Sequence, residues 1–430
     1  MNRRLLLLAT TTGYQTRAFV EAAGKLALDV VFATDRCHVL EDPWRDGALP
    51  LRFEDPESST ARIVEYARTH RLDALVALGD RPTPTAARAS RVLGLLHHPA
   101  DAADICRDKY LSRERLRTAG LSVPGFRRFP LDVDPRSVAS EFNRGGGFPC
   151  VLKPLALSAS RGVIRADDPR QFVAAFERIR NLLRSPDVRV MREETSDFIQ
   201  VETYVVGAEI AVEGLMDRGR LKVLAVFDKP DPLTGPFFEE TIYVTPSRLP
   251  AAVQAAVGDT LEQATHALGL YHGPLHAELR LSPESPHRIW VMEVAARSIG
   301  GLCSRALGFS SPQSDERMSL EELLIRLALG EDVQNVEREF AASGVMMIPV
   351  PGPGIYTGVD GVERALATPG IEDVVITAKP AEKLVPLPEG ASYLGFIFAR
   401  GPSAEFVEDA LRQAHAKLRF EIAAALAVVK

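Results

Sequence analysis

The sequence predicts a chain of mixed α/β and α+β class: a βαβ unit first, a strand-rich middle with few helices, and a strand-then-helix close. Three observations carry this. Over residues 1 to about 100, short apolar runs alternate with amphipathic stretches, the pattern of a small parallel sheet. From Gly147 to about residue 330 strand signals outnumber helical ones. From Gly344 onward, GVMMIPVP, DVVITA and YLGFIFARG read as strands ahead of one last helical stretch. A length of 430 residues suits two or three domains, and a hydrophobic content of 46% is ample for their cores.

Taken in order, RLLLLAT is a strand, Tyr14 to Leu28 a helix, DVVFAT a strand, Thr60 to His70 a helix, ALVALGD a strand and Pro84 to Leu93 a helix. The first turn, TTTGYQTRAF, lies at the carboxyl end of a strand, where open α/β sheets bind ligands. It lacks GxGxxG, so it does not mark a dinucleotide site. Asp108 to Ala119 is a helix stopped by Gly120, and Pro169 to Leu183 a helix capped by Asp168. A long helix from Pro250 to Leu268 has Ser247 as its cap, and the closing helix runs from Ser403 to about Ala424.

Composition excludes several classes. A net charge of −6 and no Lys/Arg block argue against nucleic acid. MNRRLLLLA imitates a signal peptide, but its apolar run spans only Leu5 to Ala9, shorter than the roughly 7–15 residues required. No run approaches the ~20 residues of a membrane span. Cys37, Cys106, Cys150 and Cys303 are scattered without metal-binding spacing, which fits free thiols in a reducing compartment. A cytoplasmic protein without membrane partners is expected.

The chemistry concentrates in LHAELRLSPESPHRIWVMEVAARSIGG, residues 275 to 301. His276 to Leu281 alternates, so His276, Glu278 and Arg280 share one face; Ile289 to Ala295 reads as a buried strand. A hairpin turning at Ser285–Pro286 sets Glu278 opposite Glu293, with Cβ atoms about 5 Å apart. Like charges at that spacing repel unless a hard divalent cation such as Mg²⁺ sits between them. Arg297, four residues after Glu293, would suit phosphoryl chemistry. The same pair also fits a solvated sheet face, and a one-residue slip would turn one acid away.

Upstream, FPCVLKP delivers Lys153 into a turn, and LALSASRGV can fold its N–H groups, Ser158 and Ser160 around phosphate oxygens. It is not a P-loop, and an ordinary hairpin turn fits equally. ETYVVGAEIAVEGL places Glu202 and Glu209 around a short linker turning at Gly207. DKPDPLTGPFFEETIYVTPS, residues 228 to 247, is a Pro/Gly-rich excursion that fits either a cover for the site or a plain surface loop.

The order Lys109, Lys153, Ser-containing loop, Glu202-x6-Glu209, Glu278 and Glu293-x3-Arg297 resembles the ATP-grasp superfamily across residues 1 to about 310. EVAARSIGG and the HAE strand look most like the carboxylate–amine ligases, in particular the L-amino-acid (dipeptide) ligase branch. The resemblance implies a pre-ATP-grasp domain (1–105), a central region with phosphate loop and adenine linker (106–215), a C-terminal lobe with the metal and catalytic site (216–335), and a C-terminal α+β subdomain (336–430). It implies ATP with Mg²⁺, or alternatively Mn²⁺, and small-molecule carboxylate and amine substrates; relatives are often homodimers. Lys109 and Lys153 would contact ATP, Glu202 with Tyr204 and Val205 would hold the adenine, and Glu209 the ribose. Glu278 and Glu293 would hold the metal, Arg297 would stabilise the acyl phosphate, and Gly300, Gly301 and Ser304 would line the substrate end. His276 shares the Glu278 face and could assist the amine, although a plain structural histidine fits it better. Two departures stand out: the phosphate loop is poor in Gly, and Ala295 replaces the Asn of ExNxR. A kinase or carboxylase of the same fold, and a non-catalytic nucleotide-binding protein, remain as alternatives.

Overall fold

The computed structural model describes residues 3–10, 14–35, 48–155, 157–283, 288–311 and 314–424. The first sheet is parallel, in the order Ala48–Pro50, Asp29–Thr34, Arg4–Ala9, Ala74–Leu78. RLLLLA is buried on both faces, as a central parallel strand must be. Leu5 and Leu7 pack with Phe19 and Ala22 of helix Tyr14–Lys25, while Leu6 and Leu8 pack with Ile63 of helix Pro56–Thr69. Thr11–Gly13 of the first turn, Cys37, and residues 284–287 of the expected hairpin loop lie outside the described residues.

A second, antiparallel sheet orders Phe126–Pro130, Phe198–Thr203, Cys150–Pro154 and Ile164–Ala166. Helix Pro169–Leu183 covers it through Phe172, Phe176 and Ile179. Asp168 caps that helix as expected, accepting from the Gln171 N–H at 2.8 Å.

The third sheet has eight strands: Ile289–Ala295, Gly273–Leu281, Ala208–Asp217, Arg220–Asp228, Ile242–Thr245, Ala342–Ile348, Gly395–Gly401 and Ile371–Ile376. Helix Ala251–Leu268 packs Val257, Leu261 and Ala264 against Leu275, Ala277 and Leu279. Ser247 is not its cap. Pro250 holds that position, and the Ser247 hydroxyl donates to Asp228 Oδ1 at 2.5 Å instead. The closing helix is also shorter than expected, Ala404–His415. The chain then turns back as strand Arg419–Ala423 to pair with Gly354–Asp360, so tertiary pairing overrides the helix propensity of an Ala-rich tail. Among the described residues no helix is long and apolar enough to cross a membrane.

Candidate active site

The three sheets converge on one cavity of about 490 Å³. Asp80 and Arg81 reach it from the carboxyl end of the first sheet, Lys153 and Glu202 from the second, and Glu278 and Glu293 from the third. Of the candidate ATP, metal, catalytic and substrate residues named from the sequence, all but Ser304 line this cavity.

Lys109 opens helix Lys109–Thr118, whose Asp108 cap accepts from the Tyr110 and Leu111 N–H groups. Its ammonium donates to Leu157 O at 3.1 Å and lies 3.5 Å from Glu293 Oε2, joining the Ser-containing loop to the acid end. Lys153 sits 2.5 Å from Glu202 Oε2, and Arg113 Nε donates to Glu202 Oε1 at 2.7 Å. Burial alone would raise the Glu202 pKa, but Arg113 and Lys153 overcome it and hold the group at about 2. Glu202 is thus a buried anchor that orients Lys153, and its carboxylate already has two cationic partners. The loop between the strands turns left-handed at Ala159 and Ser160 (φ 54° for both) and at Gly162 (φ 76°). For the two non-glycine residues that geometry costs on the order of 1 kcal/mol each, so the loop needs support from outside.

The linker after Glu202 is fixed by its neighbours. The Tyr204 N–H donates to Pro149 O at 3.1 Å, and Val205 O accepts from Arg280 Nη1 at 2.7 Å. The Tyr204 ring lies under the Arg165 guanidinium, 4.2 Å from its centroid. Gly207 has φ 142°, and a Cβ there would stand 1.9 Å from Leu281 O. Glu209 Oε2 accepts from Arg280 Nε and Oε1 from Lys229, both at 2.8 Å.

At the acid end Glu278 does pair with Glu293 across the hairpin, but the register shifts after that pair. Leu279 faces Val291 and Arg280 faces Trp290, which leaves Met292 as the extra residue of a bulge. The Met292 carbonyl accepts from Arg113. Lys229, from the Pro/Gly-rich excursion, reaches into the acids: its ammonium contacts Glu209 at 2.8 Å, Glu240 at 2.5 Å and Glu278 at 3.1 Å. Burial opposes its charge, yet the three carboxylates outweigh burial and raise its pKa well above the ordinary lysine value.

The two opposed glutamates titrate apart. Burial raises Glu278, and its neighbours Glu240 and Glu293 add to that effect against the pull of Lys229. Burial also disfavours the charge on Glu293, but Lys109 and Arg297 bring it down to about 2. Among the described residues, the carboxylates with oxygens within 4.8 Å of one another are Glu209, Glu240 and Glu278; Glu293 stands beside them, facing Lys109. Lys229 already bridges that trio through one oxygen of each carboxylate, so the hard oxygen donors that fit a divalent cation such as Mg²⁺ are those of the opposed pair Glu278 and Glu293.

Arg297 Nε donates to Asp80 Oδ1 at 3.0 Å, tying the third sheet to the first. The turn after it is set by Glu213, which is fully buried and accepts from the Ile299 N–H at 3.0 Å; Glu213 also pairs with His276 Nδ1 at 3.1 Å. Gly300 and Gly301 line the cavity beside Cys303, Met347 and Tyr393. Ser304 does not. The short 3₁₀ turn Cys303–Ala306 aims its hydroxyl away, to donate to Glu321 at 2.6 Å.

The sequence reading missed Asp80, Arg81, Arg113, Glu213, Lys229 and Glu240. Lys229 carried one usable signal, as the single cation in the acid- and Pro-containing segment 228 to 247; Glu240, one of four acids there, carried none.

Two lysines, Lys109 and Lys153, and the carboxylates Glu209, Glu240, Glu278 and Glu293 thus line one cavity where the three sheets meet. The family described as ATP-grasp domain matches residues 146–306, the ATP-grasp N-terminal domain 20–96, and the L-amino acid ligase C-terminal domain 2 residues 346–423. The two ATP-grasp models together cover more than half of the chain, which belongs to the ATP-grasp superfamily. It is similar to an L-amino acid ligase from Bacillus licheniformis, with a TM-score of 0.81 and 26% identity over 98% of this chain and 99% of that one. It is 28% identical over 257 residues to an alanine–anticapsin ligase of Bacillus subtilis, a match that covers 57% of this chain and 52% of the relative. It is also 25% identical over 425 residues to the uncharacterized protein y4rH of Sinorhizobium fredii, covering 96% of this chain and 82% of that protein.

Proposed function

We propose that this protein is an ADP-forming carboxylate–amine ligase that uses ATP to activate a carboxylate as an acyl phosphate and joins it to an amine, at least one partner being an amino acid. The observation that carries the reading is the line of groups Lys109, Glu293 and Arg297 along one wall, with Glu278 opposite. Phosphoryl transfer asks a protein mainly for position and charge, and these residues supply both. Lys153, oriented by Glu202, and Lys109 would neutralise phosphate oxygens, with Ser158, Ser160 and the loop amides around them. Tyr204 and Val205 border the space for a base, and Glu209 lies next to it. Glu278 and Glu293 would hold Mg²⁺, whose contribution is to screen the charge of the transferring group. Arg297, held by Asp80 and kept protonated by that partner and by Glu293 despite its burial, would stabilise the acyl phosphate and the tetrahedral species formed when the amine attacks. Gly300 and Gly301 leave room for the substrate, and His276, held by Glu213, borders the same end.

The test is product analysis with ATP, Mg²⁺ and pooled amino acids. ADP and phosphate released only when a carboxylate and an amine are both present, with an amide product by mass, is the expected result. A phosphorylated small molecule would make the protein a kinase, and nucleotide binding without any turnover would overturn both enzyme readings.

A further inference from the structure

The phosphate loop is short of glycine and carries two non-glycine residues in left-handed conformation, Ala159 and Ser160. Among its described residues the backbone bonds made within the loop are short-range turns: the Arg161 N–H donates to Ser158 O at 3.2 Å and the Val163 N–H to Ser160 O at 3.1 Å, while Lys109 holds Leu157 O and Asp187 pairs with Arg161. Its outward side meets a segment more than two hundred residues away in sequence. The Gly162 N–H donates to Pro388 O at 2.7 Å, and Arg161 Nε donates to Glu389 O at 2.7 Å. Arg178, on the helix behind the loop, forks the Glu389 carboxylate, with Nη2 to Oε2 at 2.8 Å. That hydrogen bond keeps Glu389 below the usual glutamate range, so the pair is ionic at neutral pH.

The distant segment is itself tied down at both ends. Strand Lys383–Leu384 anchors one end on Gly354 and Ile355, and the Leu394 N–H donates to Ile348 O at 2.9 Å at the other. Between them the Gly390 N–H closes a turn on Pro386 O at 2.9 Å, and a Cβ on Gly390 would stand 1.7 Å from Val385 O. Ala391 and Tyr393, at its far end, line the substrate side of the cavity.

We propose that residues 386–393 form a strap that positions the phosphate loop for nucleotide, with Glu389 as its positioning residue. The strap supplies from outside the order that a glycine-rich loop would obtain by wrapping closely around phosphates. This rests on the nucleotide reading above.

The experiment uses the full chain and MgADP as probe. Wild type, Glu389→Ala, and the charge swap Arg178→Glu with Glu389→Arg are compared by calorimetry and by amide hydrogen exchange. Glu389→Ala is expected to weaken MgADP binding about two- to fivefold, as befits a half-exposed ion pair, and to speed exchange in residues 157–163. Exchange in Gly273–Leu281 and the melting temperature stay as in wild type, and the swap restores affinity. Unchanged affinity and unchanged exchange in 157–163 would overturn the strap, as would faster exchange spread evenly over the third sheet. A wild-type chain that binds no MgADP at all would instead sink the nucleotide reading, and the strap with it.

Discussion

Arg297 and Glu293 are the residues on which the proposed chemistry depends most directly. Removing either should leave the fold intact, because Arg297 and Glu293 border open space on one side. We expect Glu293→Gln and Arg297→Ala each to lower turnover by about 10²-fold or more, with unchanged circular dichroism; near-normal turnover in either variant would refute the assignment. Lys229 behaves differently. Its side chain is 3% exposed and is shared by three carboxylates, so Lys229→Met leaves buried acids without their cation. A loss of about 3–5 kcal/mol in urea unfolding is expected, whereas a loss under about 1 kcal/mol would mean the acids find other partners. The sequence made the glutamate pair and Arg297 legible because hairpin arithmetic and a four-residue spacing are local properties. It could not reveal Arg113, one of three arginines in KYLSRERLRT, because which of them turns inward depends on the strand it meets. Ser304 was misread for a related reason: a single 3₁₀ turn decides which way its hydroxyl points.

Among the elements, the glutamate hairpin and the linker before it decide whether the site forms. The bulge at Met292 carries no composition signal, since an extra residue in a strand looks like any other; only the Glu278–Glu293 end of the ladder followed simple counting. The closing helix failed for the opposite reason, a strong local signal overruled by a partner strand. Gly207 is the element-level weak point. Its φ of 142° and the Leu281 carbonyl 1.9 Å from where a Cβ would lie make Gly207→Ala strained whatever else moves. A destabilisation of roughly 2–4 kcal/mol, read as a lower urea midpoint, is expected. A midpoint equal to wild type would show that the linker can slide.

On the scale of the whole molecule, buried His98 ties the segment that follows the first sheet to the start of strand Gly273–Leu281. His98 accepts from the Tyr271 N–H at its Nδ1 (3.1 Å), so its Nε2 carries the proton given to Pro274 O at 2.8 Å. Burial, with His97 nearby, lowers His98 to about 3, and burial lowers His97 to about 4. Because the folded values lie below the ordinary 6.5, the unfolded chain binds more protons between them. The contribution is therefore complete above pH of about 6.5 and fades as pH falls towards these values. Protonation at Nδ1 would also break the bond to Tyr271. His98→Gln is expected to lower stability at pH 7 but to flatten its decline between about pH 6 and 4, followed by circular dichroism. An unchanged slope would place the acid sensitivity elsewhere.

The third sheet runs unbroken from the acid-bearing hairpin to the C-terminal strands. Strand Ile242–Thr245 hydrogen-bonds to Ala342–Ile348, so the wall bearing the acids and the segment bearing Met347 and Tyr393 are one woven surface. Removing the C-terminal portion from Ala342 onward would therefore strip strand Ile242–Thr245 of its partner and leave a raw sheet edge beside the acids.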